Sequence, residues 1–216
     1  MIEIIVKSIV SYLLGSLMGS LIVGRLRGGV DIRTLGSGNA GGTNALRTQG
    51  RLFALGVMMI DIGKGFIATR VVAPLEIPNL AATPFIVRDW LPAVCGIAAM
   101  VGHIYPAWFG FRGGKGVATF VGALLGISAW LLVPVLITWL VIVVLSGFVG
   151  LASMVASIAL PLYAAWSQYE PRSPLLVFGM IAAALIVLTH RANIARMRAG
   201  TEPHARRLWL LGRSRG

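Results

Sequence analysis

Charge is scarce in this sequence and acidic charge scarcest: 12% of the 216 residues are charged, seven Asp and Glu against nineteen Lys and Arg, for a formal net charge of +12. Three aspartates in all, Asp31, Asp61 and Asp89, do not suffice for a centre that gathers several of them around a metal. The single cysteine, Cys95, excludes an intramolecular disulfide, and the three histidines stand apart without the ligand spacing of a metal cluster. No Ser/His/Asp set and no paired carboxylates are present. No aromatic stacking platform accompanies the basic residues, which argues against nucleic acid in spite of the charge. The N-terminus lacks the cationic segment and small-residue cleavage site of a signal peptide, so its first apolar run is expected to be a retained span.

What is abundant is apolar sequence. Hydrophobic residues make up 57% of the chain and the mean hydropathy is +0.85, far above a domain whose surface faces water. The expectation is an all-α, polytopic membrane protein, one domain over 1–216. Spans are predicted at 2–24, 53–74, 90–109, 117–131, 133–148, 149–166 and 174–188, seven transmembrane helices, with 75–90 a loop on the opposite side from the polar motifs. Gly15, Ser16, Gly19 and Ser20 give the first span a small-residue stripe for close helix approach. Asp61 and Lys64 lie one turn apart inside the second, where each charge costs about 2.5 to 3.5 kcal/mol at mid-membrane, so they should pair as a structural ion pair or as a site wall. Pro134 and the Ser146, Gly147, Gly150 region punctuate the apolar run at 117–166. Arg25, Arg27, Arg33, Arg47, Arg51, Arg112, Lys115, Arg191, Arg196 and Arg198 crowd one side, while Lys7, Arg70, Arg88 and Arg172 fall on the other. By the positive-inside rule the N-terminus is out and the C-terminus in.

Three polar motifs interrupt the apolar sequence, at 31–50, 102–116 and 189–204. In the first, DIRTLGSGNAGGTNALR, the glycines free the backbone to form a concave nest of N–H groups; Ser37, Thr43 and Asn44 add donors, and Arg33 and Arg47 add fixed charge suited to phosphate. Its GSGNAG fits a dinucleotide fingerprint only in letters, because no soluble βαβ unit surrounds it. The second, GHIYPAWFGFRGGKG, places Arg112, Gly113, Gly114, Lys115 and Gly116 before a helix, so amides, the helix terminus and Lys115 suit one anion. Phe109 and Gly116 stand where a Walker A loop needs glycine and a hydroxyl. His103 reads as a base or, more readily, as a hydrogen-bonded structural group. In the third, His190 and Asn193 share a helix face, and Arg191, Arg196 and Arg198 suit lipid headgroups.

Taken together, GSGNAGGTNALR, GHIYPAWFGFRGGKGVATFVG and HRANIARMRAGTE resemble, in order and position, the cytoplasmic motifs of the acyl-phosphate-dependent glycerol-3-phosphate acyltransferases of bacteria, the PlsY family. Gly42 stands where the family usually has alanine. The resemblance implies a seven-helix enzyme of the bacterial inner membrane, its active site facing the cytoplasm. Such an enzyme moves a fatty acyl group from acyl phosphate to the 1-hydroxyl of glycerol 3-phosphate, the first acylation in phospholipid synthesis. It implies Ser37, Arg47 and Lys115 on phosphate, with Gly36, Gly38, Asn39, Thr43 and Asn44 shaping the first loop and Gly113, Gly114 and Gly116 the second. His190 and Asn193 would orient the glycerol hydroxyl, Ser37 would share in catalysis, and Glu202 would support the fold. Neither metal nor cofactor is implied; membrane lipid and the peripheral enzyme that makes acyl phosphate are the partners. Five residues after His103, His190 and His204 stand Trp108, Ala195 and Trp209, so the H-x4-D pattern of the common glycerolipid acyltransferases is missing. A transporter of phosphorylated solutes is the alternative, though the bilayer centre then offers mainly Asp61 and Lys64. A CDP-alcohol phosphotransferase would need more aspartates.

Overall fold

The computed structural model describes residues 2–77, 88–168, 173–205 and 208–210, and these form helices and turns without a strand. Pro78 and Pro84 of the 75–90 loop lie outside the described residues, as does Arg172. The chain divides into two compact units, 1–128 and 129–216.

In the first unit, α1 (Ile2–Gly15) and α2 (Gly19–Leu26) meet at 42°, so the expected span at 2–24 is broken. Then come α3 (Gly42–Gln49), α4 (Arg51–Ile67), α5 (Leu91–Ile104) and α6 (Val117–Ile127). Close crossings rest on glycine: a methyl group on Gly15 would strike the Ala99 backbone, one on Gly102 the Tyr12 carbonyl, and one on Gly122 the Ile62 carbonyl. These contacts seat α1 on α5 and α4 on α6, which is the small-residue packing membrane helices use when lipid is as apolar as leucine.

The break in the first span has a specific chemical support. Lys64 Nζ donates to the Leu17 carbonyl at 2.7 Å, and Asp61 Oδ1 accepts from the Gly19 amide at 3.2 Å. Backbone groups freed by a helix break must find partners where water is absent, and the two charges of α4 supply one each. The charges also pair with each other at 3.0 Å, and His103 Nδ1 lies 3.4 Å from the same Asp61 oxygen. All three side chains are buried. The Asp61–Lys64 pair is therefore structural, a clasp across a broken helix. Beyond Ile67 the helix widens into a π-turn, Ala68–Val72, whose end is capped by buried Lys7: its Nζ donates to the Ala73 carbonyl at 2.6 Å and to Glu3 at 2.7 Å.

The second unit stacks α7 (Ala129–Ser146), α8 (Val149–Gln168) and α9 (Pro174–Thr189), with α10 (Arg191–Arg198) bent 54° from α9. Pro134, expected to punctuate the apolar run, sits inside α7; the boundary is Ser128, whose amide closes α6 on the Leu124 carbonyl. Ser173 caps α9 by accepting from the Leu176 amide at 3.2 Å. The α7–α8 turn needs Gly147, which has φ +75° and whose missing side chain leaves room for the rings of His204 and Trp209. His204 is stacked on Trp209 with ring centroids 4.2 Å apart, and on its other side lies Phe148 at 4.3 Å.

Four of these helices are long and apolar enough to cross a membrane, and six spans result when each bent pair counts as one. The expected span at 117–131 is instead the 11-residue helix α6, about 16 Å at 1.5 Å per residue.

Candidate active site

The first motif is built inward before it faces outward. Ile32 is fully buried with Ala45, Phe53, Ala54 and Val57, which pins the start of the loop to α3 and α4. Asn44, buried on α3, holds the loop from within: its Nδ2 donates to the carbonyls of Ile32 at 2.9 Å and of Leu35 and Asn39 at 3.0 Å, while its Oδ1 accepts from the Ser37 amide at 3.0 Å. Three carbonyls on one amide nitrogen cannot all be strong, but together they exhaust the group. Asn44 thus organises the loop from within. Gly36, at φ +57°, passes so close to Asn44 that any side chain would strike it. The Gly38 amide turns back to the Leu35 carbonyl at 3.0 Å. The expected nest is therefore partly spent on the protein itself, since the Ser37 and Gly38 amides are occupied. What faces outward are the side chains of Ser37, Thr43 and Arg47, all exposed, with Asn39 half-buried beside them.

In the second motif the glycines serve proximity. The Gly113 amide donates to the Ile104 carbonyl and the Gly114 amide to the His103 carbonyl, each at 3.1 Å, so these two amides satisfy the C-terminus of α5 and are not available to an anion. A side chain on Gly114 would strike the His103 ring, and one on Gly113 the His103 carbonyl. His103 accordingly stands buried between Asp61 and the Gly114 backbone. Gly116, at φ +84°, turns the chain into α6, and Lys115 stands half-buried just before that helix starts.

Arg33 joins the two motifs. Its guanidinium is gripped by Asp31, with Nη2 to Oδ2 at 2.8 Å and Nε to Oδ1 at 3.0 Å, and its Nη1 donates to the Phe109 and Arg112 carbonyls at 3.1 Å. Hydrogen bonding to Arg33 holds the Asp31 carboxyl below the usual carboxylate range, with Arg33 and Arg112 adding opposite charge. The charge expected of Arg33 for phosphate is committed inside the protein. Sequence reasoning placed Arg33 in a phosphate loop and missed this bridge; the Asp31-x-Arg33 spacing marks a local pair, but nothing in it names carbonyls more than seventy residues away.

The third motif belongs to the second unit. His190 ends α9 with Nδ1 2.7 Å from the Ile186 carbonyl. A carbonyl only accepts, so Nδ1 carries the proton and Nε2 is the basic nitrogen of the neutral ring. Asn193, one turn on, donates from Nδ2 to Glu202 Oε1 at 2.6 Å, and Arg196 Nε donates to Glu202 Oε2 at 2.6 Å. Both His190 and Asn193 are buried, and Gly150 of α8 lies against the Asn193 side chain. Arg191 and Arg198 are exposed. Among the described residues no three His, Cys, Asp or Glu side chains gather as a metal site.

Known proteins match this chain along nearly its whole length. The sequence profile of the family described as glycerol-3-phosphate acyltransferase matches residues 5–200. A glycerol-3-phosphate acyltransferase of Chlorobaculum parvum is 40% identical over 214 residues, covering 89% of this chain and 92% of its own. One of Coxiella burnetii is 39% identical over 198 residues, covering 92% and 96%. The crystal structure of PlsY, an integral membrane glycerol 3-phosphate acyltransferase, in its glycerol 3-phosphate form superposes with a TM-score of 0.82 at 34% identity, over 93% of this chain and 94% of that one. Its lysophosphatidic acid form gives 0.80 at 33%. The family match over most of the chain, the relatives' identity and the apolar helices agree, and the chain belongs to the PlsY family of integral-membrane glycerol-3-phosphate acyltransferases.

Proposed function

We propose that the chain is a glycerol-3-phosphate acyltransferase that uses acyl phosphate as donor and acylates the sn-1 hydroxyl, releasing lysophosphatidate and inorganic phosphate. The observation that carries the reading is the pair of loops tied together by Arg33, each offering outward cationic or hydroxyl groups, in a chain that matches a protein crystallised with glycerol 3-phosphate. Both substrates bear phosphate. Ser37 and Arg47 from the first loop and Lys115 from the second neutralise those groups.

The glycerol hydroxyl oxygen attacks the acyl carbonyl carbon, a C–O bond forms, and the bond from that carbon to the phosphate oxygen breaks. An acyl phosphate is a mixed anhydride with a good leaving group, so orientation and charge neutralisation supply most of what the reaction needs. Asn193, fixed by Glu202, and His190 orient the hydroxyl, and its proton goes to His190 Nε2 or to a phosphate oxygen. No metal or cofactor is required by this chemistry. The residues form one functional domain with seven crossings, counting each bent helix pair once and α6 as the seventh, N-terminus out, in the bacterial inner membrane with the motifs facing the cytoplasm. A peripheral enzyme that makes acyl phosphate would supply the donor.

Incubation of purified protein with acyl phosphate and glycerol 3-phosphate should yield lysophosphatidate and phosphate in equal amounts, with acyl-CoA a poor substitute and activity surviving EDTA. Flux of a phosphorylated solute through vesicles without product would establish the transporter reading in its place.

A further inference from the structure

We propose that Arg33 is a positioning residue that locks the second motif's turn onto the first motif, and that it does not bind phosphate. The proposal rests on the reading that these two loops hold phosphate. Its geometry is independent of that reading. A guanidinium has five N–H donors. One on Nε and one on Nη2 go to Asp31, and Nη1 goes to the Phe109 and Arg112 carbonyls, which uses four. The Asp31 carboxylate also accepts from the Arg33 backbone amide at 2.9 Å, so the side chain is held at both ends of its own residue. A cation so enclosed by an anion and two carbonyls offers little charge or donor capacity to a substrate.

The grip falls at a sensitive place. Between Phe109 and Arg112 the chain reverses through Gly110 and Phe111, the latter a non-glycine residue at φ +57°. Such a backbone persists only where its surroundings hold it. Arg112 is followed by Gly113 and Gly114, whose amides are already tied to α5, so the turn has α5 on one side and Arg33 on the other before it presents Lys115. Arg33 therefore sets where Lys115 stands relative to Ser37 and Arg47. Lysine cannot replace it, because an ammonium has neither the planar fork nor the reach to bridge a carboxylate and two carbonyls.

The test compares Arg33→Lys, Arg33→Ala and Asp31→Asn in purified protein by two readouts: deuterium exchange of the peptide spanning 105–116, and kcat and KM for both substrates. A clip predicts that Arg33→Lys and Asp31→Asn each speed exchange in 105–116 and raise KM by roughly tenfold, the loss of a charged hydrogen bond. Added guanidinium should restore part of the activity of Arg33→Ala. A phosphate ligand predicts the reverse signs: Arg33→Lys near wild type, and Asp31→Asn with a lower KM, because an anion beside the phosphate has gone. Either of those results overturns the clip. If wild-type protein makes no lysophosphatidate, the functional reading falls, and the exchange arm alone decides the clip: unchanged exchange in both variants refutes it.

Discussion

Glu202 accepts the Asn193 amide on one carboxylate oxygen and the Arg196 guanidinium on the other, each over 2.6 Å, so the buried asparagine of the third motif is aimed by a carboxylate nine residues downstream. Asn193→Asp would set a second carboxylate against Glu202 and remove a donor at once. It should therefore be more damaging than Asn193→Ala, in thermal stability as well as in maximal rate, although it is the smaller change in shape. Glu202→Gln keeps the shape but replaces charged hydrogen bonds, each worth about 1.5 to 3 kcal/mol, with neutral ones. Unfolding temperatures and steady-state rates check both, and an Asn193→Asp enzyme as stable and fast as wild type would remove Glu202 from this role.

Sidedness is open to direct labelling because Cys95, the one native thiol, is buried. Cysteines at Thr34 and at Gly200, both exposed, should each react with an impermeant reagent only from the cytoplasm, and one at Leu75 only from outside. Labelling of Thr34 and Gly200 from opposite faces would leave an even number of crossings between them wrong, and with it the seven-span topology.

The sequence made the apolar helices legible, since long uncharged runs have few other uses, and α9 begins at Pro174 where Ser173 and Pro174 announce it. The break at 16–18 was not legible: the residues there are ordinary, and what stabilises the break is Asp61 and Lys64, which are remote in sequence. The short helices α3 and α10 hide inside polar motifs for a similar reason, because Ile32 with its core and Glu202 with Asn193 hold them, not their own periodicity. Residue types in the motifs pointed to phosphate, but whether an amide or guanidinium faces out or in is decided by tertiary packing. The Gly113, Gly114 and Arg33 donors all face in.

Breaking the clasp from one side should cost more than its two charges suggest. Asp61→Asn or Lys64→Met strands a buried charge, a change that typically costs about 3 to 5 kcal/mol. The double variant should lose less than the sum of the two, and what it still loses measures the backbone groups at Leu17 and Gly19 that the pair satisfies. A thermal-unfolding cycle in detergent reads both quantities. Strict additivity would contradict a coupled pair.

Acid should undo the Asp31–Arg33 grip only late. The folded Asp31 carboxyl is depressed, chiefly by its hydrogen bonds to Arg33, with Arg112 a further positive neighbour. A depressed acid contributes stability above its unfolded value, near ~3.9, and loses it as pH falls through the folded value. Wild type should therefore be more stable than Asp31→Asn by a constant margin at neutral pH, the margin closing only below the ordinary carboxylate range. Unfolding temperatures of the two proteins across pH check this, and a margin that closes between pH 6 and 7 would mean that another group carries it.

Binding and chemistry are assigned to different residues, so their kinetics should separate. If Lys115 and Arg47 neutralise phosphate as proposed, Lys115→Ala and Arg47→Ala each lose a charged contact, about 1.5 to 3 kcal/mol, which is roughly tenfold to a hundredfold in affinity. KM should rise accordingly, with a smaller change in kcat. His190 holds Nδ1 on the Ile186 carbonyl and so presents Nε2 as its basic nitrogen. The work proposed for it, orienting the hydroxyl, matters most in the transition state, so His190→Ala should lower kcat at saturating substrate with little change in KM. A His190→Ala enzyme that keeps its full kcat and shows only a raised KM would take His190 out of the chemical step. The proton would then leave on a phosphate oxygen of the substrate, and the protein's part in the reaction would reduce to holding two phosphates and an acyl carbonyl in register.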